Sequence, residues 1–160
     1  MNRKRVLVTL GALVMLVPQS VWAGEGNKES DYHTITDRFF AKLADGKASE
    51  AVEYLFGLNP YMTRKADDIA QVKSQIVSTA SMLGEYEGQE LVLERQMGTR
   101  FVNLTYLAFY DRQPIRLNFQ FYKVKNAWLT YSFTFEDRFA SELAEAAKAE
   151  SLLSPDCRKK

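Results

Sequence analysis

Residues 119–137 read FQFYKVKNAWLTYSFTFED, and seven of these nineteen residues are Phe, Tyr or Trp. On both sides of Val124-Lys125-Asn126 the side chains alternate with a period of two, which indicates strands that each bury one face. Adjacent strands joined by a short link are antiparallel, because a parallel pair needs a long crossover. The stretch therefore predicts a hairpin whose aromatic face is buried against another layer of the protein.

The length of the hairpin loop decides which side chains face inward. The apolar sets of the two strands are Ile115, Leu117, Phe119 and Phe121, and Leu129, Tyr131, Phe133 and Phe135. A three-residue loop at 124–126, with Asn126 at positive φ, places both sets on one face. A two-residue loop would place them on opposite faces. We therefore expect the three-residue loop, which leaves an outer set of Trp128, Thr130, Ser132 and Thr134.

Two more strands precede the hairpin. We predict strands near 87–97, 99–110, 114–124 and 127–136, with turns at Gly98 and Arg112-Gln113. The inward set of the second strand is Val102, Leu104, Tyr106, Ala108 and Tyr110. Its other face is only half polar and reads Phe101, Asn103, Thr105, Leu107 and Phe109. An apolar patch on this face needs a cover. The candidates are a second copy of the protein and the final helix, with Phe139, Leu143, Ala146 or Ala147, and Leu153 inward.

Helical periodicity dominates the chain before Gly84. The first helix carries an apolar stripe of Tyr32, Ile35, Phe39 and Leu43, with Ser30 or Asp31 as N-cap and Gly46 as the stop. A second helix is predicted over 48–57, and a third over 65–82, ended by Gly84. The sequence therefore predicts an α+β domain in which three N-terminal helices pack on a four-stranded antiparallel meander, followed by a C-terminal helix.

Three stretches resemble one known superfamily. FFAKLADGKASEAVEYL (39–55) is similar to its first two helices, and SMLGEYEGQELV (81–92) to its passage from third helix to sheet. Residues 102–137 are similar to its terminal strands, where an aromatic-Tyr-Lys turn leads into a Trp and alternating aromatics. The chain thus resembles the nuclear transport factor 2-like, cystatin-like superfamily over 31–137, and most of all its small secreted members of unknown function. The helix after Asp137 departs from the minimal pattern.

The resemblance implies a strongly curved sheet that forms a cone with the helices, and a pocket at the mouth of the cone. Some members of the superfamily are enzymes, such as ketosteroid isomerases and dehydratases. Many others are binding or assembly modules, and homodimers through the sheet are common. The fold alone does not choose among these functions.

The residues themselves argue against an enzyme. His33 is the only histidine; it is interpreted as a solvated helix residue, with a dehydratase-like acid/base role as the lesser alternative. Glu90 and Glu94 are predicted on the outer face of the first strand, so no carboxylate base is expected inside the cone. Asp67 and Asp68 are explained by the N-terminus of the third helix. No catalytic residue, metal site or cofactor is predicted.

Two kinds of binding site remain open. The first is a pocket for a small apolar or amphipathic ligand, lined by Tyr54, Tyr61, Tyr106, Tyr110, Phe119 and Tyr131. The alternative for these tyrosines is that their hydroxyls only reach water at the rim. The second is a protein interface on the outer sheet face, for a homodimer, an envelope accessory or an immunity-type partner. Its predicted residues are Phe101, Leu107, Phe109, Tyr122 and Trp128.

The ends of the chain indicate export. Basic residues at 3–5, an apolar run at Val6–Val17 and Val21-Trp22-Ala23 match a secretory signal cleaved after Ala23. The alternative of a membrane anchor is disfavoured, because spanning a bilayer takes about 20 apolar residues. We expect a flexible segment at 24–30, one domain over 31–153, a disordered tail at 154–160, and a periplasmic or secreted location.

Charge and cysteine content narrow the partners. Three of the 21 basic residues and none of the 20 acidic ones lie in the signal, so residues 24–160 carry 18 basic against 20 acidic residues. This balance argues against nucleic acid as a partner. Cys157 is the only cysteine, which excludes an intramolecular disulfide. An unpaired thiol on the tail is the preferred interpretation, and a link between two chains is the alternative.

Overall fold

The computed structural model describes residues 31–153 of the 160-residue chain, without the side chains of Thr63 and of 151–153. The predicted signal at 1–23, the segment 24–30 and the tail 154–160 with Cys157 lie outside the described residues. Within them, no helix is long and apolar enough to cross a membrane.

Three α-helices and one short 3₁₀ helix precede the sheet: α1 (Tyr32–Ala44), α2 (Ala48–Gly57), the 3₁₀ helix (Pro60–Lys65) and α3 (Ala66–Leu83). Asp31 caps α1, because its Oδ1 accepts a hydrogen bond from the His33 backbone N–H at 3.2 Å. The dipeptide Asn59-Pro60 is in itself a typical turn signal. In the structure Pro60 begins the 3₁₀ helix, and the Asn59 side chain accepts from the Tyr61 N–H at 3.0 Å.

The sheet is an antiparallel meander in the order β1-β2-β3-β4. Its strands are β1 (Tyr86–Met97), β2 (Phe101–Tyr110), β3 (Ile115–Val124) and β4 (Ala127–Glu136), and α4 (Phe139–Leu153) follows. The predicted α+β architecture is confirmed in element order and in strand pairing, and only the starts of β1, β2 and β3 differ from prediction, by one or two residues.

Gly84 joins the helices to the sheet and cannot readily be replaced. Its φ of +93° is a conformation that favours glycine. A Cβ atom built there would lie 2.8 Å from Oδ2 of Asp111, and that same oxygen accepts a hydrogen bond from the Glu85 N–H at 3.0 Å. The end of α3 is therefore tied to the turn between β2 and β3.

The core lies between the helices and one face of the sheet. Phe119 is at its centre, fully buried, with the Phe39 and Phe133 rings each 5.1 Å away and the Tyr106 ring 5.7 Å away. Each large side chain moved fully out of water stabilises the fold by about 2 kcal/mol. The aromatic content of residues 119–137 is therefore largely explained by the core.

The hairpin loop and one strand face differ from prediction. Val124 pairs with Ala127, so the loop has two residues, and Lys125 rather than Asn126 has a positive φ of 55°. A β-bulge in β4 keeps Phe133 on the same face as the apolar side chains of β3. Gln120 pairs with Ser132 and Phe121 with Thr130, which leaves Tyr131 as an extra residue. Phe133 therefore faces inward as predicted. Residues 127–130, between the hairpin loop and the bulge, face the opposite way from the prediction.

This reversal exchanges two predicted orientations. Tyr131 was expected inside and is 58% exposed, whereas Trp128 was expected outside and is only 7% exposed. Thr130, also predicted outside, is fully buried. The two-residue loop that simple alternation rejects is thus compatible with a buried Phe133, because one extra residue in β4 restores the phase.

Strand β1 contains two similar irregularities. Its register with β2 shifts between Tyr86 and Gly88 and again between Leu91 and Leu93. Glu90 lies opposite Leu107 on the outer face, as predicted, but Glu94 lies opposite the fully buried Leu104. The prediction that Glu94 faces outward is therefore wrong, because the extra residue Val92 turns the rest of the strand over.

Helix α4 does not cover the outer face of the sheet. Its first turn is fixed by Arg116 of β3, which bonds Glu142 at 2.9 Å and Glu136 at 2.6 Å, with the Phe139 ring 5.9 Å from its guanidinium carbon. Beyond that turn Leu143 is 68% exposed. The final helix, one of the two covers predicted for the apolar patch on the outer sheet face, therefore does not cover it.

Candidate functional sites

The first candidate site, here called the mouth cavity, is a recess of about 900 Å³ at one end of the core. The turn between α1 and α2, the last turns of α3, the start of β1 and the end of β2 enclose it. Its walls include Leu43, Gly46, Lys47, Ser81, Tyr86 and Tyr110. The positive φ of Gly46, 73°, turns the chain around the rim.

Two tyrosines form the aromatic floor of the mouth cavity. The Tyr86 and Tyr110 rings lie edge to face, 5.5 Å apart. Burial raises the pKa of Tyr110 to about 12 and also raises the pKa of Tyr86. Both phenols are therefore protonated at neutral pH. Tyr86 donates its proton to Oε1 of Gln89, so Tyr110 is the phenol that can donate to a ligand.

Three of the predicted pocket residues belong to the core instead. Phe119 is fully buried, Tyr54 packs against the core, and Tyr106 is 6% exposed with its hydroxyl 3.0 Å from the Thr36 hydroxyl. The interior of the cone is thus filled by side chains around these residues. Of the six residues predicted for the pocket, only Tyr110 lines the mouth cavity.

The other two predicted pocket residues lie in a second recess, of about 630 Å³, here called the aromatic trough. Its walls include Tyr61, Lys65, Phe101, Tyr122, Tyr131 and Ser132. Tyr131 lies between two outer-face rings, 5.6 Å from Phe101 and 6.2 Å from Tyr122, and nearly perpendicular to both. Residues predicted separately for a pocket and for an interface are therefore brought together.

Buried hydrogen bonds hold the two walls of the aromatic trough in place. The Asn59 amide is 4% exposed, and its Nδ2 donates to the Thr130 carbonyl at 2.7 Å. The Thr130 hydroxyl donates to the Leu55 carbonyl at 2.6 Å. These bonds join the 3₁₀ helix and α2 to the bulged part of β4. Both walls of the trough are therefore held in a fixed arrangement.

The outer sheet face is mixed in character. Phe101, Leu107 and Phe109 are half-buried, as is Tyr122 on β3. A row of polar side chains separates Phe101 from Leu107 and Phe109. In this row Thr105 donates to Asn118 at 2.8 Å, and Gln120 donates to Asn103 at 3.2 Å. Trp128 does not belong to this face, because its ring packs 4.9 Å from Tyr32 on the helix side.

A polar cluster that the sequence did not predict connects α1 to β1. Tyr32 donates to Oε1 of Glu94 at 2.7 Å, Gln96 donates to Tyr32 at 2.9 Å, and Nε2 of His33 lies 3.3 Å from Oε2 of Glu94. The Tyr32 hydrogen bond, followed by that of Gln96, lowers the pKa of Glu94. The same Tyr32–Glu94 bond raises the pKa of Tyr32.

This cluster brings a histidine and a carboxylate together, but at the surface. The side chains of His33 and Glu94 are 42% and 30% exposed, and neither lines the mouth cavity or the aromatic trough. Its evident role is to fasten α1 to the sheet. The run Leu91-Val92-Leu93, which interrupts the alternation of β1, was the one sequence signal that pointed to this reversal.

No group of three or more metal-ligating side chains occurs among residues 31–153.

Comparison with known proteins identifies the fold and nothing finer. No protein-family profile and no curated protein matches the chain. A solved crystal structure from Campylobacter jejuni, described as a candidate NTF2-like transpeptidase, matches with a TM-score of 0.50 and 16% identity. The match covers 62% of this chain and 96% of the other. At this identity the likeness carries the fold alone, and the transpeptidase description remains that of the Campylobacter protein.

Proposed function

We propose that this chain, which has the nuclear transport factor 2-like fold, is a non-enzymatic binding module that holds a small amphipathic molecule in the mouth cavity. One observation carries the proposal: an open recess of about 900 Å³ remains at the end of an interior that is otherwise packed with side chains. Ligand pockets commonly measure about 300–1,000 Å³, so the recess is large enough for a ligand of that class.

The walls of the mouth cavity indicate what such a ligand would present. The Tyr86 and Tyr110 rings and Leu43 offer an apolar floor, and the Tyr110 hydroxyl offers a donor. Lys47 and Asp45 at the rim pair with each other at 3.2 Å, and Glu50 pairs with Lys42 at 3.6 Å. Glu85 adds a carboxylate to the lining, which disfavours an anionic ligand. A largely apolar ligand with a neutral hydrogen-bond acceptor fits this combination best.

Filling the mouth cavity is the direct test. Ser81 lines it, whereas Ser74, two turns earlier on α3, is exposed and lies outside it. We expect Ser81→Trp to weaken binding of the neutral fluorophore N-phenyl-1-naphthylamine by about threefold or more, because the indole takes up part of the space that the ligand would fill. Ser74→Trp should bind like the unaltered protein. Equal binding by both variants would refute the mouth cavity as the site.

A second function, protein interaction through the outer sheet face, is favoured by the exposure that α4 leaves there. Phe101, Leu107 and Phe109 remain half-buried, and Met97 beside them is 76% exposed. If two copies meet on this face, Phe109→Asp should convert a dimer to a monomer in native mass measurements, and Ser74→Asp should not. A native chain that is monomeric and captures no second copy would rule out the homodimer.

The periplasm is the proposed location, and the support is the signal pattern at 1–23. N-terminal sequencing of the protein from a periplasmic fraction should begin at Gly24. Recovery of the chain with its original N-terminus in the cytoplasm would contradict this location.

A further inference from the structure

The aromatic trough is separate from the mouth cavity. No described residue lines both recesses. Phe101 lines the trough and Tyr110 lines the mouth cavity, and these two residues are at opposite ends of β2. Ten residues of extended chain place these ends about 30 Å apart. A ligand in the trough would therefore not compete with one in the mouth cavity by direct contact.

The trough displays more aromatic surface than the core requires. Tyr61 is 74% exposed and Tyr131 58% exposed. The bulge in β4 is the reason that Tyr131 points outward instead of into the core. Rigid tyrosines of this kind offer a large contact area at a small cost in side-chain entropy.

One charge determines which ligands suit this surface. Lys65 lines the trough at the end of the 3₁₀ helix and forms no ion pair with the described residues 31–153. Its ammonium group repels cationic ligands from the aromatic rings and attracts anions. Among the described residues, no carboxylate lines the trough. Asp68 lines a smaller recess that shares Met62, Lys65, Tyr131 and Ser132 with the trough.

We propose that the aromatic trough is a second binding site, for a single soluble amphipathic anion. The apolar body of the ligand lies against Phe101, Tyr122 and Tyr131, and its carboxylate, phosphate or sulfate group meets Lys65. The volume of about 630 Å³ accommodates a chain or ring system of moderate size. The site is preformed, because the buried Asn59 amide fixes the 3₁₀ helix against β4.

Matched amphiphiles of opposite charge test the proposal. Decanoate and decyltrimethylammonium, each below its micelle concentration, are titrated into the full chain by calorimetry. Decanoate should bind the more tightly. Lys65→Met should weaken decanoate by about threefold, as expected for a solvent-exposed ion pair, and Tyr131→Ser by about tenfold. Lys47→Met, at the rim of the mouth cavity, is the matched control and should leave decanoate affinity unchanged.

Three results would overturn the proposal. The first is tighter binding of the cation, which would show that the tyrosine faces and not Lys65 choose the ligand. The second is a loss of decanoate binding in Lys47→Met or Ser81→Trp but not in Lys65→Met, which would place the anion in the mouth cavity. The third is binding to phosphatidylglycerol vesicles without binding to free decanoate, which would indicate a membrane surface as the partner.

The test of the aromatic trough is independent of the function proposed for the mouth cavity. Binding of the neutral fluorophore reports on Ser81, and binding of decanoate reports on Lys65 and Tyr131. Either site can therefore fail its own test while the other passes.

Discussion

At the scale of single residues, the cluster around Glu94 shows how one hydrogen bond sets both a local pKa and the attachment of a helix. The Tyr32 hydroxyl is the largest cause of the lowered pKa of Glu94, ahead of Gln96 and the charge of His33. A carboxyl group whose pKa is lower in the folded state stabilises that state above its unfolded pKa. This contribution is lost as the pH falls through the folded value.

Replacing Tyr32 by Phe should therefore raise the pKa of Glu94 toward its ordinary value of 4.5. The variant keeps the ring that packs on Trp128 and loses only the donor. Carboxyl-detected NMR titration measures the shift directly, and acid unfolding of the variant should begin at a higher pH. An unchanged Glu94 titration would mean that the Tyr32–Glu94 bond does not form in solution.

At the scale of secondary-structure elements, single extra residues in the strands decide what faces the core. Helix ends and turns follow from local signals that the sequence displays, such as Asp31 as a cap and the glycines at 46 and 84. The bulges in β1 and β4 are defined only relative to a partner strand, so period-two counting misplaces Glu94, Trp128 and Tyr131. The same misplacements separated the members of the aromatic trough and concealed the His33–Glu94 pair.

Deleting Tyr131 should leave the rest of the sheet in place. Gln120 pairs with Ser132 and Phe121 with Thr130, so removal of the residue between them yields a regular ladder with Phe133 still inside. We expect cooperative urea unfolding with loss of decanoate binding. Deletion of Thr134 is the control, because it would turn Phe135 outward and Glu136 toward the core. If removing Tyr131 were as damaging as removing Thr134, the bulge assignment would be wrong.

At the scale of the whole molecule, the sequence predicted the architecture better than the sites. The meander, the three helices before it and the inward aromatics follow from patterning, because burial constrains every strand at once. The mouth cavity depends on where the α1–α2 turn, Ser81 and Tyr86 meet in space, which no local pattern encodes. Tyr110 was found because it lies at the end of an inward-facing strand set, whereas Tyr86 precedes the predicted start of β1.

NMR on the full chain can decide whether the mouth cavity holds a small amphipathic ligand, as we propose. Amide chemical shifts of the isotope-labelled full chain are followed by NMR while N-phenyl-1-naphthylamine is added. We expect saturable shifts that cluster at Gly46, Ser81, Gly84 and Tyr86, which surround the cavity. Shifts confined to the outer sheet face around Leu107 and Phe109, or no saturable shifts at all, would contradict it.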